Sequence, residues 1–85
     1  MSDLKKRFEA ASQSVKKLVE DPGNDVKLQL YALYKQGTEG DVQGKRPGFT
    51  DMIGRAKYDA WAKARGMSGS DAMKQYIALV KSLGG

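Results

Sequence analysis

YALYKQGTEGDVQGKRPG, residues 31–48, sets the terms on which the rest of the chain is read. Its first part has the look of a helix end. Its second part is a glycine-rich connection that closes on Arg46-Pro47-Gly48. On a helix, Tyr31, Tyr34 and Lys35 stand at i, i+3 and i+4, so their side chains are neighbours. A phenol offers a flat apolar surface and a hydroxyl. An ammonium offers a compact charge suited to phosphate. Together they are able to stack a base and hold a phosphate beside it. A plainer arrangement has one tyrosine in the core and the lysine solvated at a helix end, and on the triplet alone this plainer one is favoured.

Working outward, four segments carry helical periodicity and none alternates as a strand does. The first runs from Asp3 to about Glu20, with Leu4, Phe8, Ala11, Val15, Leu18 and Val19 on one face. Asp21-Pro22-Gly23-Asn24 stops it, since proline cannot continue the hydrogen-bond ladder. The second runs from about Asp25 to Gln36, and Gly37 is its expected C-cap. Val26, Leu30 and Leu33 make one stripe, Leu28 and Tyr31 point roughly opposite, and Gln29, Ala32 and Gln36 make a small polar face. A helix apolar on so much of its circumference is buried on two sides or covered by a ligand on one. Residues 37–49 then form a loop longer than the 2–8 residues usual between bundled helices. The third helix is expected to start at Thr50 as N-cap, to bury Ile53, Ala56, Ala60, Trp61 and Ala64, and to end at Gly66. Ser68-Gly69-Ser70-Asp71 reads as a capping box for the fourth, whose stripe is Ala72, Met73, Tyr76, Ile77, Val80 and Leu83. The fold class is all-α, four helices around one core in a single domain over residues 1–85.

Composition narrows the chemistry. The 85 residues hold no cysteine and no histidine, which removes disulfides, thiolate metal sites and the commonest general base. Neither a Ser–His nor a Cys–His pair can be assembled. No catalytic residue, metal or cofactor is expected. The net charge of +5 favours anionic partners. No cationic start followed by an apolar run and no long apolar window is present, so a soluble cytoplasmic protein without stable membrane insertion is expected. Asp41, Asp51, Asp59 and Asp71 lack metal-site spacing, and no phosphate-binding glycine loop of the Walker kind occurs. Trp61, flanked by alanines, reads as a core anchor, Tyr76 as core by default, and Arg46 as a residue that pairs with a carboxylate to hold the loop.

Taken together, YALYKQGTEGD and RPGFTDMIGRAKYDAWAKARGMSGSDAMKQYI resemble the acyl-CoA-binding protein family, in register from Phe8 to the end of the fourth helix. The resemblance implies a four-helix bundle with a long crossing connection between helices two and three. It implies a carrier and pool former for medium- to long-chain acyl-CoA, without catalysis, and a monomer. By the same resemblance Tyr31, Tyr34, Lys35, Lys57, Lys16 and Tyr76 hold the head group, and Phe8, Ala11 and Leu28 lie near the acyl chain. Four positions depart from the family pattern. Tyr58 replaces a frequent tryptophan, Gly37 an alanine, Arg55 a lysine, and Ile53 a lysine near the phosphates in some members. Two other classes compete with this reading. A nucleic-acid-binding module would show steep salt dependence, but no helix-turn-helix or basic recognition stripe is evident. A helical interaction module would cover the two-sided second helix with a partner protein.

Overall fold

The computed structural model describes residues 2–84. Helix α1 spans Ser2–Ser14 and runs into a 3-10 turn at Val15–Lys17; α2 spans Asn24–Glu39, α3 Met52–Lys63 and α4 Gly69–Ser82. There is no strand among the described residues, so the all-α, four-helix expectation holds. Helix α4 packs against both α1 and α2, and α3 packs on another side of α2.

The core lies between α1, α2 and α4. Phe8, Ala11, Leu30, Tyr76 and Val80 are buried, with Val15, Val26, Leu33, Met73, Ile77, Leu79 and Leu83 packed around them. Burying one such large side chain contributes roughly 1.5–3 kcal/mol, and with no disulfide available this cluster carries most of the stability. Helix α3 is anchored separately. Trp61 is its buried residue, with Ala64 buried at its C-cap, and the Trp61 indole N–H donates to the Gly40 carbonyl at 2.7 Å.

The helix ends depart from the periodicity in instructive ways. Helix α1 leaves the α conformation at Ser14 rather than near Glu20, and Leu18 is already extended, at φ −60° and ψ 133°. Val19, expected on the inner face, is fully exposed. Local chemistry wins there: the Asp21 carboxylate accepts the Gly23 N–H at 2.8 Å, and Pro22 disfavours helical backbone at the residue before it. Helix α2 continues through Gly37 and ends at Gly40, whose φ of 84° suits glycine. Gly37 stays helical because α1 and α4 press on it: a Cβ there would lie 3.3 Å from both Phe8 Cζ and Met73 Cγ.

Helix α3 is capped by Asp51, not Thr50, through a 2.9 Å bond from the Gly54 N–H to the carboxylate. Gly54 permits this closure, since a Cβ at that position would collide with the Asp51 carboxylate. The helix ends at Lys63, three residues before Gly66, and its first turn overhangs the core, so Ile53 is exposed rather than inside. Helix α4 begins as expected, with Ser68 Oγ accepting the Asp71 N–H at 3.1 Å. Gln36, read as part of a polar face, is 1% exposed. Its side-chain amide donates to Asp41 at 2.8 Å and to the Met67 carbonyl at 2.9 Å, so the end of α2 is tied to both following connections.

Candidate functional site

Helix α2 is the common wall of everything in this site. Its side toward α3 gathers cations and aromatic rings. Lys57 Nζ of α3 lies over the Tyr31 ring, 5.5 Å from its centroid. Lys35 Nζ lies over the Trp61 ring at 5.0 Å and pairs with Glu39, one turn on along α2. That hydrogen bond raises the Lys35 pKa above its ordinary value, so the ammonium stays charged well beyond neutrality. Rings beneath both ammonium groups hold them by cation–π attraction while leaving N–H donors free for an anion.

The side of α2 toward α1 and α4 is different. Phe8, Tyr34 and Tyr76 form an aromatic triangle: Phe8 stacks on Tyr34 at 5.4 Å, meets Tyr76 edge-on at 5.1 Å, and Tyr34 stands 6.0 Å from Tyr76. Phe8 and Tyr76 are 2% and 4% exposed, whereas Tyr34 is 41% exposed. Burial pushes the Tyr76 phenol above its ordinary pKa, with Tyr34 a smaller cause. Ala11 is buried in the same cluster. Lys16 sits exposed in the 3-10 turn that follows α1.

Leu28 occupies a third place. With Ala32, Ala56, Ala60, Ala64 and Met67 it lines an open groove of about 660 Å³ between α2, α3 and the middle of α4, where Gln75 borders it. The alanines keep the helices from filling it. Its volume lies within the roughly 300–1,000 Å³ of small-molecule sites. Tyr31 and Lys57 are next in sequence to lining residues of this groove, Ala32 and Ala56. A smaller hollow of about 280 Å³ opens beside Phe8, Tyr34 and Gly37. The nine residues singled out in the sequence thus fall into three groups: Tyr31, Lys35 and Lys57 together, Phe8, Ala11, Tyr34 and Tyr76 together, and Leu28 and Lys16 apart from both.

The long connection is fixed to α3 by side chains. Arg46 makes a two-pronged bond to Asp59, at 2.8 and 2.7 Å, as its reading as a loop holder requires. Tyr58 donates its hydroxyl to the Gly44 carbonyl at 2.9 Å. Asp41 accepts the Gly66 N–H at 2.8 Å as well as the Gln36 amide. Two participants escaped the sequence reading. Glu39 was detectable as an i+4 partner of Lys35. The packing of Trp61 beneath Lys35 was not, since only the path of the connection brings α3 against α2. Among the described residues no group of three or more His, Cys, Asp or Glu side chains is placed to hold a metal.

A model of the family described as acyl CoA binding protein matches residues 5–80. The chain is 47% identical over 76 residues to acyl-CoA-binding protein homolog 1 of Caenorhabditis elegans, which covers 89% of this chain and 88% of that protein. It is 48% identical over 83 residues to enoyl-CoA delta isomerase 2 of Homo sapiens, covering 98% of this chain but only 21% of the isomerase. The crystal structure of Oryza sativa acyl-CoA-binding protein 2 superposes with a TM-score of 0.93 at 41% identity, covering 96% of this chain and 89% of that one.

Proposed function

We infer the function from a plain premise: this chain belongs to the acyl-CoA-binding protein family. It binds fatty acyl-CoA thioesters and carries them. The observation that carries this reading down to residues is the pair of ammonium groups, Lys35 and Lys57, held over aromatic rings where α2 meets α3, next to an apolar groove.

In this reading Lys35 and Lys57 take the phosphates, Tyr31 and the half-exposed Tyr34 ring flank the base, and Lys16 approaches from the turn after α1. Phe8 and Tyr76 act from below by fixing the Tyr34 ring, with Tyr76 completing the head-group set. Leu28 and the alanines of α3 receive the acyl chain, while Phe8 and Ala11, which the resemblance puts near the chain, lie in the core on the other side of α2 and back that wall from within. About ten buried methylenes at roughly 0.8 kcal/mol each supply on the order of 8 kcal/mol. Ordering the ligand takes back several kcal/mol. Charge-assisted bonds to phosphate add selection for the CoA head. The tail therefore sets most of the affinity and the head sets the identity.

We assign no catalytic step, metal or cofactor. The chain spans about a fifth of the isomerase it resembles, so that protein's name lends no reaction to these residues. We read the protein as a monomeric, cytoplasmic carrier of medium- to long-chain acyl-CoA rather than a binder of nucleic acid. Among the described residues no helix is long and apolar enough to cross a membrane.

Calorimetric titration with a palmitoyl-CoA ligand, and with free CoA and palmitate as controls, tests the reading. Tight one-to-one binding of the thioester, weak binding of CoA and poorer binding of palmitate are expected. Equal affinity for palmitate and the thioester would remove the head-group site. Binding that ignores acyl-chain length would remove the groove.

A further inference from the structure

Glu39 stands where helix physics disfavours it. It is the last residue of α2, at the negative end of the helix dipole, where a cation is favoured and a carboxylate is not. The last turn of α2 holds no basic residue to offset it. Its pair with Lys35, one turn earlier, is a poor remedy, because a lysine four residues before a glutamate is the weaker orientation of such a pair. Nor does the pair join separate parts of the chain. Lys27–Asp21 ties the turn before α2 to that helix, and Arg46–Asp59 ties the long connection to α3. Lys35–Glu39 links two side chains of one helix.

The two partners are held unequally. The Lys35 side chain is 23% exposed, and its ammonium lies over the Trp61 ring, whereas Glu39 is 54% exposed. The cation is therefore fixed in place, and the carboxylate is the member that can turn into water. An anion arriving at Lys35 meets opposed charges. The ammonium attracts it, while the carboxylate repels it and already holds one of the three N–H donors. Lys57 has an aromatic ring in the corresponding place.

Resting on the acyl-CoA reading, we propose that Glu39 is a competing counterion, which occupies Lys35 in the free protein and is displaced by a phosphate of the CoA head group. Exchanging one anion for another gains less than capture by an unpaired cation, so Glu39 sets a ceiling on head-group affinity. The thioester stays bound under that ceiling because its tail supplies most of the affinity. Free CoA has no tail, and the ceiling keeps it from filling the site. The same ceiling shortens the residence of the thioester, as handing on a cargo requires.

The experiment is titration of the wild type and Glu39→Gln, a substitution that keeps side-chain size and removes the charge, with free CoA and with palmitoyl-CoA at low ionic strength. The variant is expected to bind each about two- to fivefold more tightly. In a Lys35→Ala background the same substitution is expected to gain much less, since no ammonium remains to be released. An equal gain in both backgrounds would reduce Glu39 to long-range repulsion and overturn the exchange. Equal affinity of Glu39→Gln and the wild type also overturns the proposal, as does weaker binding by the variant, which would make Glu39 an aid that orients Lys35. Each of these results leaves the acyl-CoA reading in place. Failure of the wild type itself to bind palmitoyl-CoA removes that reading, and the proposal with it. Thermal unfolding checks the premise: Glu39→Gln is expected to melt no lower than the wild type, and a clear fall would assign the pair to the fold and overturn the proposal.

Discussion

The two sides of α2 use similar residue types and end as opposites. Toward α1 and α4, aromatic rings meet aromatic rings, and Phe8 and Tyr76 are sealed from water. Toward α3, rings meet ammonium groups, and small side chains leave a groove open. One side spends its aromatic surface on folding. The other keeps its surface available, and its cations are positioned by neighbours that do not neutralise both of them: Lys35 has Glu39, while Lys57 has the Tyr31 ring. A helix so built divides stability from binding, and the division can be attacked from each side.

The largest effect is expected from the sealed side. Phe8→Ala removes the ring that touches both Tyr34 and Tyr76 and is expected to cost about 3–5 kcal/mol of stability, read by urea denaturation. Tyr34 would lose its stacking partner too, so acyl-CoA affinity should fall in step among molecules that remain folded. A loss under about 1 kcal/mol would mean that the triangle is not the centre of the core.

On the open side the signature reverses. Lys57→Ala is expected to weaken acyl-CoA binding by about 1.5–3 kcal/mol, the worth of a hydrogen bond to a charged group, while stability moves by less than about 0.5 kcal/mol. Lys35→Ala should follow, with a slightly larger stability change because its cation also covers Trp61. Palmitoyl-CoA titration beside urea denaturation separates the two quantities. If either lysine variant lost stability and kept affinity, the contrast between the sides of α2 would collapse.

Much of this contrast was legible in the chain before its structure. Tyr31 and Lys35 are local, set by helical spacing, and Ser68 announced the start of α4 through its cap, but that Tyr34 turns away from them toward Phe8 and Tyr76 was not readable from spacing. The helix limits were less legible, because they depend on competitors the periodicity does not register. The Asp21 turn truncates α1, and Gly37 is held helical by Phe8 and Met73 from distant parts of the chain. Gln36 shows the same limit. Its burial follows from Asp41 and the Met67 carbonyl closing over it, contacts made only once both connections have found their places. Ile53 was read as inner on periodicity, yet the first turn of α3 projects beyond the body it packs on. The candidate site was legible mainly through resemblance, since nothing in the local spacing says that Lys57 will arrive over Tyr31.

Acid should sharpen the comparison by acting on neither side of α2 but on the connections. Asp21, Asp41 and Asp59 all have lowered pKa values, held down chiefly by Lys27, by the Gly66 N–H and by Arg46 respectively. A carboxylate with a lowered folded pKa contributes stability above its unfolded value, about 3.9, and loses that contribution as the pH falls through the folded value. The melting temperature is therefore expected to hold from neutrality to about pH 5 and to decline below it. Asp41→Asn and Asp59→Asn should each flatten the decline. A melting temperature that holds or rises on acidification would show that these carboxylates do not pin the loops, since repulsion among the fifteen cations grows as carboxylates are protonated and can only add to a decline.

The smallest effect tests how rigid the sealed side is. Gly37 lies inside α2, where alanine is favoured over glycine by about 0.5–1 kcal/mol. The added methyl would sit 3.3 Å from Phe8 Cζ and from Met73 Cγ, so one of them has to yield by a few tenths of an ångström. Met73 has a flexible, half-buried side chain at an adaptable position, and it should be the one that moves. Gly37→Ala is then expected to raise stability by about 0.5 kcal/mol and to narrow the hollow beside Tyr34, with acyl-CoA affinity nearly unchanged because Lys35 and Lys57 keep their places. If the variant is instead less stable, the Phe8 ring cannot shift, and the missing methyl at residue 37 is a fitted part of the aromatic triangle. The sealed side would then owe its order to a residue with no side chain at all, just as the open side owes its groove to alanines.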